Sequence, residues 1–276
     1  MSEDAVTGLT DTHCHIQSAG SDAGEEVTRQ LWAKSPELNG DIMIQNAIAA
    51  GVTRLICVGC ELEDSINAIA FVQGRDNCWA TIGLHPHEAQ HYAHDKSKQD
   101  KFRALASKPK VVAIGECGLD FYYTHSPKAD QIAVLKFQIE LALGHGLPMI
   151  FHVRDAFDDF WPVFDQYKGI RGVLHSFTDS AENLAKAMER NLYIGVNGIA
   201  TFTKDEAQRD VYKSIPLQKL LLETDAPFLT PTPYRGSINE PGYVSLITRF
   251  MAELRGENLE DLAKSTTDNA RQLFGI

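Results

Sequence analysis

The chain has 276 residues, of which 43 % are hydrophobic, and its formal net charge is −11 at pH 7. This length suits one barrel-type domain of about 250 residues, so we expect residues 1–276 to form a single domain. The acidic balance, with no block of Lys or Arg, argues against a protein that follows long nucleic acids. A nucleic-acid substrate is therefore expected to be a short piece, with metal ions supplying the positive charge.

The cysteines and the first residues indicate the class of protein. The start, MSEDAVTGLT, is acidic and lacks the hydrophobic segment of a secretion signal. No stretch approaches the roughly 18 consecutive apolar residues that cross a membrane. The five cysteines are odd in number and lie in apolar surroundings, and the Cys57–Cys60 pair, a C-x-x-C inside a predicted strand, indicates packing. We expect a cytoplasmic protein with reduced thiols, no membrane contact and no obligate protein partner.

Short β-branched runs alternate with polar helical stretches along the whole chain. The runs predict eight strands, at residues 9–16, 54–60, 78–86, 110–120, 147–154, 171–177, 192–198 and 220–227. Helical segments are predicted between them, at 41–51, 64–74, 130–146, 156–169 and 180–191. This alternation predicts an α/β fold, a parallel TIM (β/α)₈ barrel. A doubly wound open sheet is the alternative, but no Gly-rich phosphate loop follows the first strand.

Two connections are too long for ordinary loops of a barrel. Residues 16–40 follow the first predicted strand, and the Pro- and Gly-rich residues 227–243 follow the last. Loops that follow strands rise over the carboxyl-terminal mouth of a barrel, where active sites lie. We therefore expect both segments to form walls or a lid over a site.

The motif DTHCH at residues 11–15 gives the first chemical signal. Side chains at positions i and i+2 of a strand point the same way, so His13 and His15 share one face and Cys14 points to the other. Asp11 lies on the histidine face, one step deeper. Two imidazoles held side by side at the end of a strand are typical of metal ligands.

Ionisable residues close four further apolar runs. Glu116, His152, His175 and Asp225 each lie at the predicted end of a strand. Burying such groups singly is costly unless they are paired or bound to a metal. Closure of a barrel brings all these ends to one mouth, which predicts a site for one or two divalent ions. Mixed nitrogen and oxygen ligands suit Zn²⁺, Mn²⁺, Fe²⁺ or Co²⁺ better than Mg²⁺.

Other polar residues near the predicted mouth allow two interpretations each. His85 and His87, in GLHPH, contact substrate or the metal ligands, or else lie on the surface in a turn fixed by proline. Arg154 shares the face of His152 and binds an anion, or else pairs with a nearby aspartate. Arg235, in the long loop before residue 243, presents the same two alternatives.

Seven motifs in order resemble one known family. DTHCH, GLHPH, GECGLDFYY, HVRDA, LHSF, ETDAPFL and YRGSINEP are similar to the motifs of the TatD family of metal-dependent hydrolases and deoxyribonucleases, from about residue 9 to the end. The resemblance implies a TIM barrel of the amidohydrolase superfamily with a one- or two-metal centre. The chain departs from the family pattern at IQSAGS, after DTHCH, and at Ser237, where a basic residue is often found. Both departures lie beside the substrate.

The resemblance also implies roles for individual residues. Carried over by motif, the ligands are His13, His15 and Asp225 for a first metal ion, Glu116 as a bridge, and His152 and His175 for a second. Asp225 would also be the base for the attacking water, and His85 would contact a phosphate.

Three functions remain open at this point. The first is a metal-dependent phosphodiesterase that trims DNA ends or short oligonucleotides, releasing nucleotides from 3′ ends. The second is an ester or amide hydrolase, such as a deacylase of misacylated tRNA. The third is a non-catalytic barrel, which predicts substituted ligand positions, and none of the six is substituted.

Overall fold

The computed structural model describes residues 6–22, 24 and 26–276. Eight parallel strands lie in one sheet in the order of the sequence. They are β1 (Leu9–Cys14), β2 (Val52–Val58), β3 (Cys78–Ile82), β4 (Val111–Asp120), β5 (Met149–Arg154), β6 (Gly172–Leu174), β7 (Tyr193–Val196) and β8 (Leu220–Leu222). All eight coincide with predicted strands, and the predicted barrel is confirmed.

Helices fill the connections between the strands. In chain order they are α1 (Glu26–Trp32), α2 (Gly40–Ala49), α3 (Leu62–Val72), α4 (Lys96–Arg103), α5 (Lys128–His145), α6 (Phe157–Phe164), α7 (Ala181–Glu189), α8 (Ile199–Phe202), α9 (Glu206–Ser214), α10 (Val244–Arg255) and α11 (Leu259–Phe274). The five predicted helical segments correspond to α2, α3, α5, α6 and α7. Within the described residues, no helix has the length and apolar character needed to cross a membrane.

The first and last strands meet and nearly close the sheet. The main chain of Asp225 donates to the carbonyl of His13, and that of His15 donates to the carbonyl of Ala226, both at 2.8 Å. Cys14 and Ala226 form a parallel bridge between the two strand ends. This contact brings the beginning of the chain and residues more than 200 positions later to one mouth.

The barrel interior is apolar and is closed at its amino-terminal end. Its buried side chains come from alternate strand positions, as the two-residue period of a strand requires, and include Ile56, Ile150 and Leu221. Leu273 and Phe274 at the end of α11 pack against this cluster. The opposite end, where the strands finish, is therefore the end at which polar groups collect.

The strand ends differ in detail from the prediction. Glu116 lies inside β4 rather than at its end, because β4 continues to Asp120. Its register with β5 shifts between Ile114 and Cys117, so the strand is irregular beside Glu116. β1 stops at Cys14, and β8 stops three residues before Asp225. Irregular backbone after the strands, rather than regular pleating, places several of the site residues.

The two long connections lie against the carboxyl ends of the strands. Trp32 of α1 donates from its indole to the carbonyl of His15 at 3.2 Å, and Gln17 donates to the carbonyl of Val58 at 2.8 Å. In the second connection, the ring of Phe228 lies 6.3 Å from that of His15. Both segments thus form walls near His15, although residues 23 and 25 of the first lie outside the described residues.

Candidate metal centre

Four predicted ligands form one half of a buried polar cluster. The Nε2 atom of His13 lies 3.2 Å from Nε2 of His15 and 3.3 Å from Oε2 of Glu116. Asp225 Oδ1 lies 3.6 Å from the same atom of His13 and 3.4 Å from Nε2 of His15. Two imidazole nitrogens and two carboxylates therefore face a common point, as the shared face of His13 and His15 predicted.

The other oxygen of Glu116 faces a second group of histidines. Its Oε1 atom lies 2.8 Å from Nδ1 of His152, and 3.5 Å from Nε2 of both His85 and His175. The rings of His13 and His175 stack with centroids 3.7 Å apart, which joins the two halves. All six predicted ligands and His85 thus lie in one cluster around Glu116.

Two carboxylates hold the histidines from outside, and the sequence reasoning did not select them. Asp120 Oδ2 lies 3.0 Å from Nε2 of His152 and 3.1 Å from Nε2 of His87. Glu223 Oε1 lies 2.8 Å from Nδ1 of His175. Carboxylates in this position fix the orientation of metal-binding imidazoles. The sequence did contain a signal for both. Asp120 lies four residues after Glu116, and Glu223 lies two residues before Asp225, so each shares the strand face of a predicted ligand.

Burial and neighbouring charges shift the pKa values of the histidines of the centre in opposite directions. Burial disfavours the charged imidazole and lowers the pKa of His85 to about 4. Burial likewise lowers the pKa of His13 from its usual value. It acts against protonation of His15 as well, but the hydrogen bond and charge of Asp225 outweigh it and raise the pKa of His15 to about 9. The centre thus combines neutral and protonated imidazoles at neutral pH.

Asp120 and Glu223 raise the pKa values of the histidines that they contact. Burial opposes the charge on His152, yet the hydrogen bond to Asp120 raises the pKa of His152 to about 10. Burial opposes the charge on His175 in the same way, and the charge of Glu223 raises its pKa to about 9. The hydrogen bonds from His152 and His87 hold the pKa of Asp120 well below its usual range, against the effect of its own burial.

The two central carboxylates stay ionised. Burial favours the neutral form of Glu116, but the surrounding histidines, His175 first among them, hold its pKa well below the usual range. Burial also opposes the charge on Asp225, and the hydrogen bond with His15 lowers its pKa nonetheless. Ionised carboxylates and imidazole nitrogens are what a divalent cation requires.

The remaining predicted contacts lie at different distances from the cluster. His85 is buried against Glu116 and is not a surface residue. The guanidinium of Arg154 lies over the rings of Tyr122 and Tyr123, at 4.1 and 4.8 Å from their centroids. Arg235 donates to a carbonyl of its own loop, that of residue 230, at 2.8 Å. In the described part of the chain, neither arginine forms an ion pair.

The C-x-x-C pair separates into two environments. Cys57 packs in the core, as predicted. The thiol of Cys60 lies 3.7 Å from Oε2 of Glu116 and 3.9 Å from Nδ1 of His15, so it forms part of the wall of the cluster. β2 ends at Val58, and Cys60 therefore leaves the strand and turns toward the mouth.

The donor set fits divalent metal ions. The ligand atoms of His13, His15 and Glu116 lie within 4.8 Å of one another, and so do those of His85, Glu116 and His152. Glu116 belongs to both groups and directs a different oxygen to each. Facing imidazoles and buried carboxylates at these distances are costly without a cation between them. The donor set thus combines imidazole nitrogens with carboxylate oxygens, as many divalent metal sites in proteins do.

Comparisons with known proteins agree with this geometry. The family model described as TatD related DNase matches residues 10–275. The uncharacterized metal-dependent hydrolase YabD of Bacillus subtilis is 37% identical over 273 residues, which are 97% of this chain and 99% of that protein. A protein of Enterobacter lignolyticus named 3′-5′ ssDNA/RNA exonuclease TatD is 37% identical over 264 residues, 92% of this chain and 98% of that one.

Solved structures show the same barrel. The crystal structure of the Escherichia coli TatD homologue YJJV has a TM-score of 0.83 and 27% identity, covering 97% of this chain and 98% of that one. A hydrolase TatD family protein of Entamoeba histolytica has a TM-score of 0.83 at 22% identity, covering 98% of both chains, which supports the fold alone. The chain therefore belongs to the TatD family and is a metal-dependent hydrolase.

Proposed function

We propose that this hydrolase cleaves phosphodiester bonds at the 3′ ends of single-stranded DNA or RNA. The observation that carries the proposal is the position of Glu116, whose two oxygens face two separate groups of histidines. Such an arrangement suits two cations that share a carboxylate and stabilise the attacking and leaving oxygens of a phosphoryl transfer. The relative named as a 3′-5′ ssDNA/RNA exonuclease, similar over nearly its whole length, supports the choice of substrate.

The proposal assigns a role to each residue of the centre. His13, His15 and Asp225 would hold one divalent cation, His152 and His175 would hold another, Glu116 would bridge them, and His85, Arg154 and Arg235 would contact the substrate phosphates. Bound cations would polarise the phosphoryl oxygen and lower the pKa of a coordinated water toward ~7. They would also offset the net charge of −11, which otherwise repels an anionic substrate.

The proposal assigns the proton transfer to Asp225. Its backbone adopts φ 62°, a left-handed conformation, in the turn after β8. Its Oδ1 atom lies against His13 and His15, and its carboxylate is ionised because the hydrogen bond with His15 outweighs the effect of burial. An ionised carboxylate at this position would accept the proton of the attacking water.

The proposal is tested with a 5′-labelled single-stranded DNA oligonucleotide in the presence of Mg²⁺ or Mn²⁺. We expect a ladder that shortens from the 3′ end. Glu116→Ala should lower the rate by at least about 1000-fold, since several kcal/mol of transition-state stabilisation are lost. Glu182→Ala is the matched control, because Glu182 on α7 is exposed and pairs with Lys186 four residues on.

The same assay distinguishes the phosphodiesterase from an ester or amide hydrolase. Intact DNA with protein that binds metal, together with hydrolysis of carboxylic esters or aminoacyl-tRNA, would replace the phosphodiesterase proposal with the ester or amide hydrolase. Full activity of Glu116→Ala would contradict the bridging role and leave the substrate assignment in place. Circular dichroism of each variant shows whether the barrel is still folded.

A further inference from the structure

A group of exposed rings lies beside the metal centre, in the segment that follows β4. Tyr122 is 57% exposed and Tyr123 is 44% exposed, and the two rings meet edge to face at 4.8 Å. The guanidinium of Arg154 lies over both rings. We call Tyr122, Tyr123 and Arg154 the aromatic platform. Exposed tyrosines with an arginine over their rings form an aromatic, cationic surface that the barrel does not need for its own packing.

The platform is fixed relative to the centre by one carboxylate. Oδ1 of Asp120 accepts from the backbone N–H groups of Tyr122 and Tyr123, at 3.0 and 2.8 Å. Oδ2 of the same carboxylate lies 3.0 Å from Nε2 of His152. Asp120 is 1% exposed, so the link is shielded from water. A side chain that orients a proposed metal ligand therefore also sets the position of the platform.

Rings connect the platform to the cluster without a gap. The ring of Tyr123 lies 5.7 Å from that of His87, which lies 4.3 Å from that of His85. His85 in turn lies 4.6 Å from His152. His125 stacks on Tyr123 at 5.7 Å with planes 23° apart. A chain of ring contacts, mostly edge to face, thus leads from the surface to the residues around Glu116.

The platform adjoins a cavity of about 510 Å³ whose lining favours a base over a phosphate. His87, His91 and His125 contribute rings to its lining, and Glu26 and Glu88 contribute carboxylates. Carboxylates repel the phosphodiester backbone but accept hydrogen bonds from the amino groups of nucleobases. The only cation of the platform, Arg154, lies on the tyrosine rings instead, where a phosphate beside a stacked base would meet it.

We propose that the aromatic platform is a stacking subsite for the nucleobases of a single-stranded substrate, next to the bond that is cleaved. This inference rests on the proposed nuclease function and adds how the strand is held. Base stacking on aromatic rings tolerates any sequence, because every base has a π-face. Bases in a duplex have their faces covered, so the platform selects single strands and frayed ends. Tyr122 and Tyr123 are positioning residues, and their rings make no contact with the reacting atoms.

The test is a cycle that removes the tyrosine ring and the base separately and together. The proteins are wild type, Tyr123→Ala, and the double variant Tyr122→Ala/Tyr123→Ala. The substrates are oligo-dT and a strand of equal length in which tetrahydrofuran spacers replace the bases of the 3′-terminal nucleotides. Tyr167→Ala is the matched control, since Tyr167 lies between α6 and β6 at the other end of the barrel.

With oligo-dT we expect kcat/KM of the double variant to fall by about tenfold or more, mainly through KM, as loss of base stacking predicts. With the base-free strand we expect all proteins to agree within about twofold, because the tyrosines then have no base to hold. Tyr123→Trp should retain activity on oligo-dT. The tyrosine N–H contacts to Asp120 are backbone contacts, so the alanine variants keep them and should keep their thermal stability.

The possible results separate the two proposals. Equal losses on both strands would overturn the stacking role and assign the tyrosines to the support of the metal centre. No loss on oligo-dT would overturn it as well. If wild-type protein cleaves neither strand while it hydrolyses an ester or amide, the proposed nuclease function fails, and the stacking subsite fails with it.

Discussion

At the scale of single residues, the centre depends on carboxylates that each serve two partners. Glu116 faces His13 with one oxygen and His152 with the other. Asp120 contacts His152 through Oδ2 and the backbone of Tyr123 through Oδ1. Because each of the two oxygens contacts a different partner, a substitution of one carboxylate alters two contacts together. Such groups are costly to bury alone and stable only as a network.

Asp120→Asn tests this dual role. The substitution keeps an oxygen and the shape but removes the charge that holds His152 and His87. We expect metal affinity to fall by about 10- to 100-fold, as is usual when a carboxylate behind a metal-binding histidine is lost. Competition with a coloured chelator measures the affinity directly. Asp130→Asn is the control, since Asp130 pairs at 3.0 Å with His94, an exposed histidine; equal effects of both variants would contradict the role of Asp120.

At the scale of elements, the loop after β8 is held by a buried asparagine. Asn239 is fully buried, and its side chain donates to the carbonyls of Thr224 at 2.8 Å and Phe228 at 2.5 Å. The main chain of Asn239 also donates to the carbonyl of Pro227. These bonds fix the segment that carries Asp225 and Phe228 over the mouth. Residues 227–243 thus form a wall that its own hydrogen bonds hold in place.

Asn239→Ala should loosen this wall. One buried and one partly buried carbonyl lose their donor, which costs about 1–3 kcal/mol in the free energy of unfolding. Urea denaturation measures the loss, and hydrogen exchange should quicken within residues 227–243 ahead of the strands. Ser237→Ala removes one exposed hydroxyl contact in the same loop, at 2.7 Å to Tyr234, and should change the free energy of unfolding by less than about 0.5 kcal/mol. A rigid loop in Asn239→Ala would show that other contacts hold it.

At the scale of the whole molecule, stability and chemistry lie at opposite ends of the barrel. The end of α11 covers the amino-terminal side of the interior with Leu273 and Phe274. The charged groups collect at the other side, where the net charge of −11 makes cation binding favourable. Metal binding and protonation compete for the same nitrogen atoms there, so the molecule should respond to both.

Metal binding is therefore expected to release protons. In the protein without metal, the pKa values of His15 and His175 are about 9 and that of His152 is about 10, although burial opposes each charge. These imidazoles must lose their protons to bind a cation, so metal affinity should rise with pH from about 6 to about 10. Calorimetric titrations at pH 7 in buffers of different ionisation enthalpy should show release of about three protons per loaded centre.

The same shifts predict the stability of the metal-free protein. The raised pKa values contribute stability that is fully present below the usual histidine value of 6.5 and is lost as pH rises through about 9 to 10. Thermal unfolding in the presence of a chelator measures this loss. In the calorimetric titrations, a metal affinity that does not depend on pH, together with a heat of binding that does not depend on the buffer, would contradict the assignment of these histidines as ligands.

Local pattern was sufficient for the fold class and for the six predicted ligands in the cluster, but not for Asp120, Glu223 or Cys60. The two-residue period of a strand placed His13 and His15 on one face, and the alternation of strands and helices predicted the barrel. The geometry of strands and helices repeats every few residues, so residues that are close in the chain are enough to predict it. The same reasoning placed Glu116 at a strand end, which was wrong, because the irregular register of β4 depends on its neighbour β5.

The sequence by itself thus determined the barrel, the family motifs and the residue types at the mouth. Only the tertiary structure decided which oxygen of Glu116 faces which histidine, that Asp120 and Glu223 contact His152 and His175, and that Arg154 lies on two tyrosines. The physical reason is distance along the chain. Closure of the barrel joins positions as far apart as Thr12 and Leu222, whose hydroxyl and carbonyl groups meet at 3.1 Å across 210 residues. Contacts of that range are set by packing of the whole molecule, and no local pattern encodes them.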